Sequence, residues 1–326
     1  MNASRSTFSR LCWTTLLLFG CAGSLCRSQV SADHCSEVQL YASVLSAKGR
    51  IVAGLRRENF TAQINGQPAR ITGVDYTPQA HRAVILIDHS GSMSGMRWSV
   101  IRQGSFDVLQ LIPEGIPVSV YFFDDKPRQL VSPTADRKLV TSSLQQFLFS
   151  AAEGVRGRTA LFDAIDAALS SLSPAQPGDL ILVVTDGGDN NSRMDAGKLQ
   201  KKLLNSETRL FALLLGSESV GTPAERYGTP ETEQMVERSG GVVARLPVED
   251  DDGRHSQPPK LTQEEENTIS QVSTWLVQNM IDSYRLTLMP GQFSSDRGKL
   301  KLQVTVPQSE GKFRIAAPAT VAVKCP

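Results

Sequence analysis

Histidine is scarce in this chain. His34, His81, His89 and His255 are the only four in 326 residues, which leaves little from which to build a zinc site. Excess charge is also lacking: 34 basic residues face 33 acidic ones, for a formal net charge of +1. That balance argues against nucleic acid or a polybasic membrane surface as the partner. The apolar run at residues 11–23 is shorter than the roughly 20 residues of a membrane span. No nucleophile elbow occurs at Gly91-Ser92-Met93-Ser94-Gly95, where a methionine stands in the serine position of Gly-x-Ser-x-Gly. There is no His–Asp pairing for acyl transfer and no internal repeat. What remains is a chain of ordinary apolar content, long enough to bury a full core and to hold two domains.

The N-terminus reads as an export signal. Arg5 and Arg10 precede the apolar run at 11–23, small residues follow, and Val30-Ser31-Ala32 offers a cleavage site. A signal over 1–32 is therefore expected. Leu18-Phe19-Gly20-Cys21 also resembles a bacterial lipobox, with an unusual Phe at its second position, so a lipid anchor at Cys21 is the alternative to a free secreted or periplasmic protein. Removing the signal takes Cys12, Cys21 and Cys26 out of the five cysteines and leaves Cys35 and Cys325. In an exported chain such a pair predicts a disulfide.

Residues 33–79 carry no helical pattern. Period-two alternation at 38–44, with Asn65-Gly66 between apolar-alternating segments, predicts a small β unit with a hairpin. From residue 80 to 248 strands and helices alternate, the mark of a doubly wound, Rossmann-like α/β sheet. Strands are expected at 83–87, 117–123, 179–185, 209–215 and 242–246, with a short edge strand at 129–132. Helices are expected at 98–112, 137–151, 160–172, 195–205 and 231–239. A polar insertion follows at 249–261, then a long helix at 262–284 opened by a Thr262/Glu265 capping box. The tail at 285–326 alternates again and predicts a second small β element, tied to the first by Cys325.

The chain is organised around Val84-Ile85-Leu86-Ile87-Asp88-His89-Ser90-Gly91-Ser92, a buried strand that stops in a turn bearing one carboxylate and two hydroxyls. Ligands of open α/β sheets gather at the carboxyl ends of strands. Oxygen-bearing side chains at spacing two suit a loop around a small hard cation. A second buried strand ends at Thr185-Asp186-Gly187, and Thr159 opens a helix after a polar loop. If strand 179–185 neighbours strand 83–87, Asp88 and Asp186 converge with the Thr159 loop above them. His89 faces away by alternation and reads as a packing or solvent residue. Asp189 and Asn190 read as turn residues rather than ligands, and Asp124-Asp125 as a loop charge pair, with a part in shaping the crevice rim as the alternative.

This set, Asp88-x-Ser90-x-Ser92 with Thr159 and Asp186, resembles the von Willebrand factor A domain and its metal-ion-dependent adhesion site. The flanks, including residues 48–55 before Phe60, are similar to those of exported acidobacterial-type proteins carrying such a domain. The resemblance implies a magnesium ion, replaceable by manganese or calcium, held by Asp88, Ser90, Ser92 and Thr159, with Asp186 acting through water. It also implies a protein partner whose acidic side chain takes the open position. Hydroxyl donors neutralise the cation less than carboxylates would and leave it electrophilic. Two other readings stand beside this one. A haloacid-dehalogenase-like phosphohydrolase also sets an Asp after its first strand, but needs a second acid two residues on, where this chain has Ser90. The third is a structural envelope protein with a vestigial metal site.

Overall fold

The computed structural model describes residues 35–78, 80–150, 157–216, 230–248, 258–291, 295–307 and 312–325. The expected signal, Cys12, Cys21, Cys26 and most of the 249–261 insertion lie outside them. Two sheets carry the fold.

The first has six strands: β4 (Ala83–Asp88), β5 (Val118–Phe123), β6 (Pro127–Thr134), β7 (Leu180–Thr185), β8 (Arg209–Gly216) and β9 (Val243–Pro247). Their order is β6-β5-β4-β7-β8-β9, all parallel except the edge strand β6. Every residue of β4, β7 and β8 is buried, because helices cover both faces of the sheet. Alternation along each strand feeds two cores. Ile85, Ile87, Leu182 and Leu213 face α1 (Met96–Leu111), α2 (Arg137–Ser150) and the long helix α6 (Gln263–Ile281). Val84, Leu86, Val183 and Leu214 face α3 (Leu161–Ser171), α4 (Ala196–Ser206) and α5 (Pro230–Ser239). Each such aliphatic side chain, fully buried, contributes about 1.5–3 kcal/mol of transfer free energy.

The second sheet has seven strands in the order β12-β1-β10-β3-β2-β11-β13. They are β1 (Val38–Ser46), β2 (Phe60–Ile64), β3 (Gln67–Pro78), β10 (Asp282–Met289), β11 (Arg297–Val304), β12 (Phe313–Ala316) and β13 (Thr320–Ala322). Sequence reasoning gives two small β elements here. The structure interleaves them into one antiparallel sheet, with β10 between β1 and β3 and β11 beside β2. A two-stranded hairpin alone is marginal in water, and the merger gives both segments a shared apolar face centred on Leu40, Ala42, Phe60, Ile64, Tyr284 and Leu286.

The expected Asn65-Gly66 hairpin is present. Both residues have positive φ, 48° and 80°, and they join Ile64 to its partner Gln67, the geometry of a two-residue primed turn.

The long helix needs a correction. Its Thr262/Glu265 capping box forms as expected, but the helix ends at Ile281 and the chain passes directly into β10. Residues 282–284 belong to the strand because alternate burial begins there, with Tyr284, Leu286 and Leu288 pointing into the second core. No glycine or proline marks the join in the sequence, so the boundary had no local signal. The Tyr284 hydroxyl donates to Val52 O at 2.7 Å and accepts from Leu55 N at 3.0 Å.

Contacts across the two sheets reinforce that continuous segment. The Trp275 indole on α6 donates to Gly49 O at 2.6 Å, in the turn after β1. Arg209 at the start of β8 is buried, donates to Met280 O at 2.7 Å, and lies over the Tyr41 ring of β1. Burial pushes its pKa down to about 10. Cys35 and Cys325 form the expected disulfide, closing a sequence separation of 290, and Ser36 N donates to Lys324 O beside it.

Candidate metal centre

β4 and β7 are adjacent and parallel, so their outgoing loops open into one crevice. Asp88, the last residue of β4, has a fully buried side chain. Its Oδ1 accepts from Ser90 N at 2.9 Å, which folds the loop back over the strand end. Its Oδ2 accepts from Thr185 Oγ1 at 2.6 Å. Thr185 in turn accepts from Gly187 N at 3.0 Å, fixing the turn that carries Asp186. The Ser90 and Ser92 hydroxyls lie 3.2 Å apart. Between and after them, Gly91–Met93 form one 3-10 turn, anchored by the buried Met93 side chain.

The third segment arrives through glycines. Gly91 N donates to Gly157 O at 3.2 Å, setting the loop that leads to Thr159 against the first loop. Gly157 has φ +86°, and a Cβ there would fall 2.9 Å from Asp125 Oδ2. A side chain there would be strained by the backbone and would displace Asp125, so glycine is favoured. The loop is then pinned by side chains from neighbouring turns: Arg158 N donates to Asp125 Oδ1 at 2.9 Å, and Thr159 N to Asn190 Oδ1 at 2.9 Å. Thr159 O accepts from Asn190 N and Asn191 N. Thr159 itself is buried.

All three segments named from the sequence therefore meet at the ends of β4 and β7. His89 packs against Trp98, Phe122 and Phe147, as its alternation predicts. Asp189 and Asn190 are turn residues, as read, although their turn also ties down the opening of α3: Asp189 Oδ1 accepts from Phe162 N at 3.2 Å. Asp124-Asp125 is more than a loop charge pair, since Asp125 clamps the Gly157 loop and Asp124 O accepts from Ala160 N at 2.8 Å. Sequence reasoning missed the brace role of Thr185 and the place of Arg97. Thr185 sits directly before Asp186, but its hydroxyl direction depends on the pairing of β7 with β4, which no local pattern reveals.

Electrostatics bear on what could occupy the crevice. Burial pushes the Asp88 carboxyl up to about 7, and the nearby charge of Asp186 pushes the same way; hydrogen bonds from Ser90 and Thr185 oppose the rise without cancelling it. A buried carboxylate facing a second carboxylate is costly unless a cation accompanies the pair. The donors on offer are all oxygen, which suits a hard divalent ion. Among the described residues no group of three or more His, Cys, Asp or Glu could hold a metal, so a centre here depends on hydroxyl donors as well as carboxylates.

Residues 83–188 match the family model of the von Willebrand factor type A domain. The chain contains a von Willebrand factor type A domain. The match spans β4 to the Asp186 turn and thus all three loops of the crevice. No curated protein matches the chain in sequence. Among solved structures, BatB from Bacteroides thetaiotaomicron is similar at 17% identity, covering 60% of this chain and 98% of that one, with a TM-score of 0.42. A von Willebrand factor type A protein from Catenulispora acidiphila is similar at 11% identity over 88% of this chain and 75% of that one, with a TM-score of 0.44. Proximal thread matrix protein 1 from the mussel byssus is similar at 13% identity over 67% and 49%, with a TM-score of 0.46. Around the type A domain, the seven-stranded sheet supplies the flanking β structure. No helix among the described residues is long and apolar enough to cross a membrane.

Proposed function

We propose that this protein is an exported, metal-dependent protein-binding module. Asp88, Ser90, Ser92, Thr159 and Asp186 would hold a magnesium ion, with manganese or calcium able to substitute. When bound, the cation supplies an electrophilic position open to an acidic side chain of a partner protein. The chain's own residues prepare that position. Thr185 and Ser90 orient the Asp88 carboxylate, Asn190 and Asp125 hold the Thr159 loop, and the buried Met93 fixes the turn bearing Ser92. The observation that carries the reading is the fully buried Asp88 carboxylate, held by Ser90 N and Thr185 Oγ1 beside the Asp186 turn and next to the paired Ser90 and Ser92 hydroxyls. A type A domain is consistent with protein interaction rather than turnover. The terminal disulfide and the signal-like N-terminus support export.

Calorimetry of the mature chain with magnesium and manganese tests the metal, and capture from an envelope extract with and without chelator tests the partner. Saturable cation uptake by the wild type, abolished in Asp88→Ala, is the expected result. A wild type that takes up neither ion, indistinguishable from Asp88→Ala, overturns the reading.

A further inference from the structure

Arg97 occupies a position that cation binding alone does not explain. It lies in the first turn of α1, where the macrodipole disfavours a basic side chain, and that turn contains no acidic residue to compensate. Its Nη1 donates to Ser92 O at 3.2 Å and stands 3.7 Å from Asp186 Oδ2. A guanidinium thus bridges the Ser90–Ser92 loop and the Asp186 turn at the lip of the crevice, and both side chains keep some exposure, 15% for Arg97 and 21% for Asp186. A site shaped only to hold a divalent cation gains nothing from a fixed positive charge against one of its two carboxylates, since like charges repel at this range.

The charge balance changes once a partner is included. Asp88 and Asp186 would together balance a bound divalent ion, and Arg97 would add one positive charge to that group of four. An incoming carboxylate restores neutrality, whereas an amide or hydroxyl ligand does not. The planar guanidinium fork also matches carboxylate geometry better than a lysine ammonium does. Building on the metal-binding reading above, we propose that Arg97 is the specificity-determining residue of the crevice. It selects a carboxylate-bearing partner and serves as the second anchor for that group, beside the cation.

The test uses the disulfide-closed chain, with manganese as the cation probe and the tripeptides Gly-Asp-Gly and Gly-Asn-Gly as ligand probes. Manganese uptake is followed by electron paramagnetic resonance, and peptide binding to the loaded protein by water-proton relaxation. In the wild type, Gly-Asp-Gly is expected to bind and Gly-Asn-Gly to bind far more weakly. Arg97→Gln is expected to take up manganese at least as tightly as the wild type but to lose on the order of tenfold in Gly-Asp-Gly affinity, the size expected for one charge-assisted hydrogen bond. Arg97→Lys should fall between the two.

The proposal is overturned if Arg97→Gln binds Gly-Asp-Gly as the wild type does, or if the loaded wild type does not prefer it to Gly-Asn-Gly. Loss of manganese uptake in Arg97→Gln would make Arg97 a brace of the loops instead, and also overturns it. Failure of the wild type to take up manganese sinks the metal reading together with this one, so the two failures are distinguishable.

Discussion

In the six-stranded sheet β4, β7 and β8 are buried at every residue, whereas in the seven-stranded sheet β2 and β11 alternate between covered and open positions. The first sheet is covered by helices on both faces, and its loops form the crevice. The second is held by pairing between strands far apart in sequence and by one covalent link between residues 35 and 325. The chemistry-bearing loops thus rest on local apolar burial, while the supporting sheet rests on long-range closure. Such closure carries a high loop-entropy cost, which a disulfide removes from the unfolded side.

The largest test of that contrast is to cut the link. Cys35→Ser with Cys325→Ser is expected to lower unfolding free energy by about 2–5 kcal/mol in urea titrations. Hydrogen exchange should then rise first in β1 and β11, before β4 and β7. Equal loss of protection in both sheets would mean that they form one cooperative unit rather than a core and its frame.

Next in size is a pH effect confined to the crevice. Asp88 has a folded pKa raised to about 7 from its ordinary 3.8, so between these values the metal-free folded state binds more protons than the unfolded chain. Stability from this group is fully present below the lower value and is lost as pH rises through the upper one. The loss is on the order of 4 kcal/mol, at 1.36 kcal/mol per pH unit. Melting curves of chelated protein from acid to neutral pH should show this decline, absent from Asp88→Asn. Saturating magnesium should reverse it.

Tyr284→Phe probes the supporting sheet from inside. It removes the hydroxyl that serves both Val52 O and Leu55 N, leaving a half-buried carbonyl and a buried amide without that partner. The expected cost is about 1–3 kcal/mol in chemical denaturation, with cation uptake unchanged. Thr262→Ala is the smallest step. It breaks the capping box that opens α6 and should cost about 1 kcal/mol, read as a lowered melting temperature. A shift within error would show that the packing of α6 determines its N-terminus without the cap.

Much of the six-stranded sheet was legible because its strands advertise themselves locally. Residues 83–87, 180–184 and 210–215 are unbroken apolar runs, and the helix expected at 195–205 is α4, where Asp195 proves to be the cap, its side chain accepting from Lys198 N. The convergence of Asp88 with the Thr185-Asp186 turn followed from strand order in a doubly wound sheet. Interleaving of the two terminal segments could not be read, because pairing of β10 with both β1 and β3 is a property of residues more than 200 positions apart. The same holds for the clamps. Asp125 and Asn190 look like loop residues until the Gly157–Thr159 segment is placed against them, and Arg97 looks like a helix surface residue until Asp186 faces it.

The bond between Cys35 and Cys325 makes the polypeptide between them a covalent ring. One protease cut anywhere inside that ring releases no fragment, and a nicked molecule keeps its full mass until a reductant or a second cut opens it. On a non-reducing gel, single nicks would therefore pass unseen, and only reduction would count them.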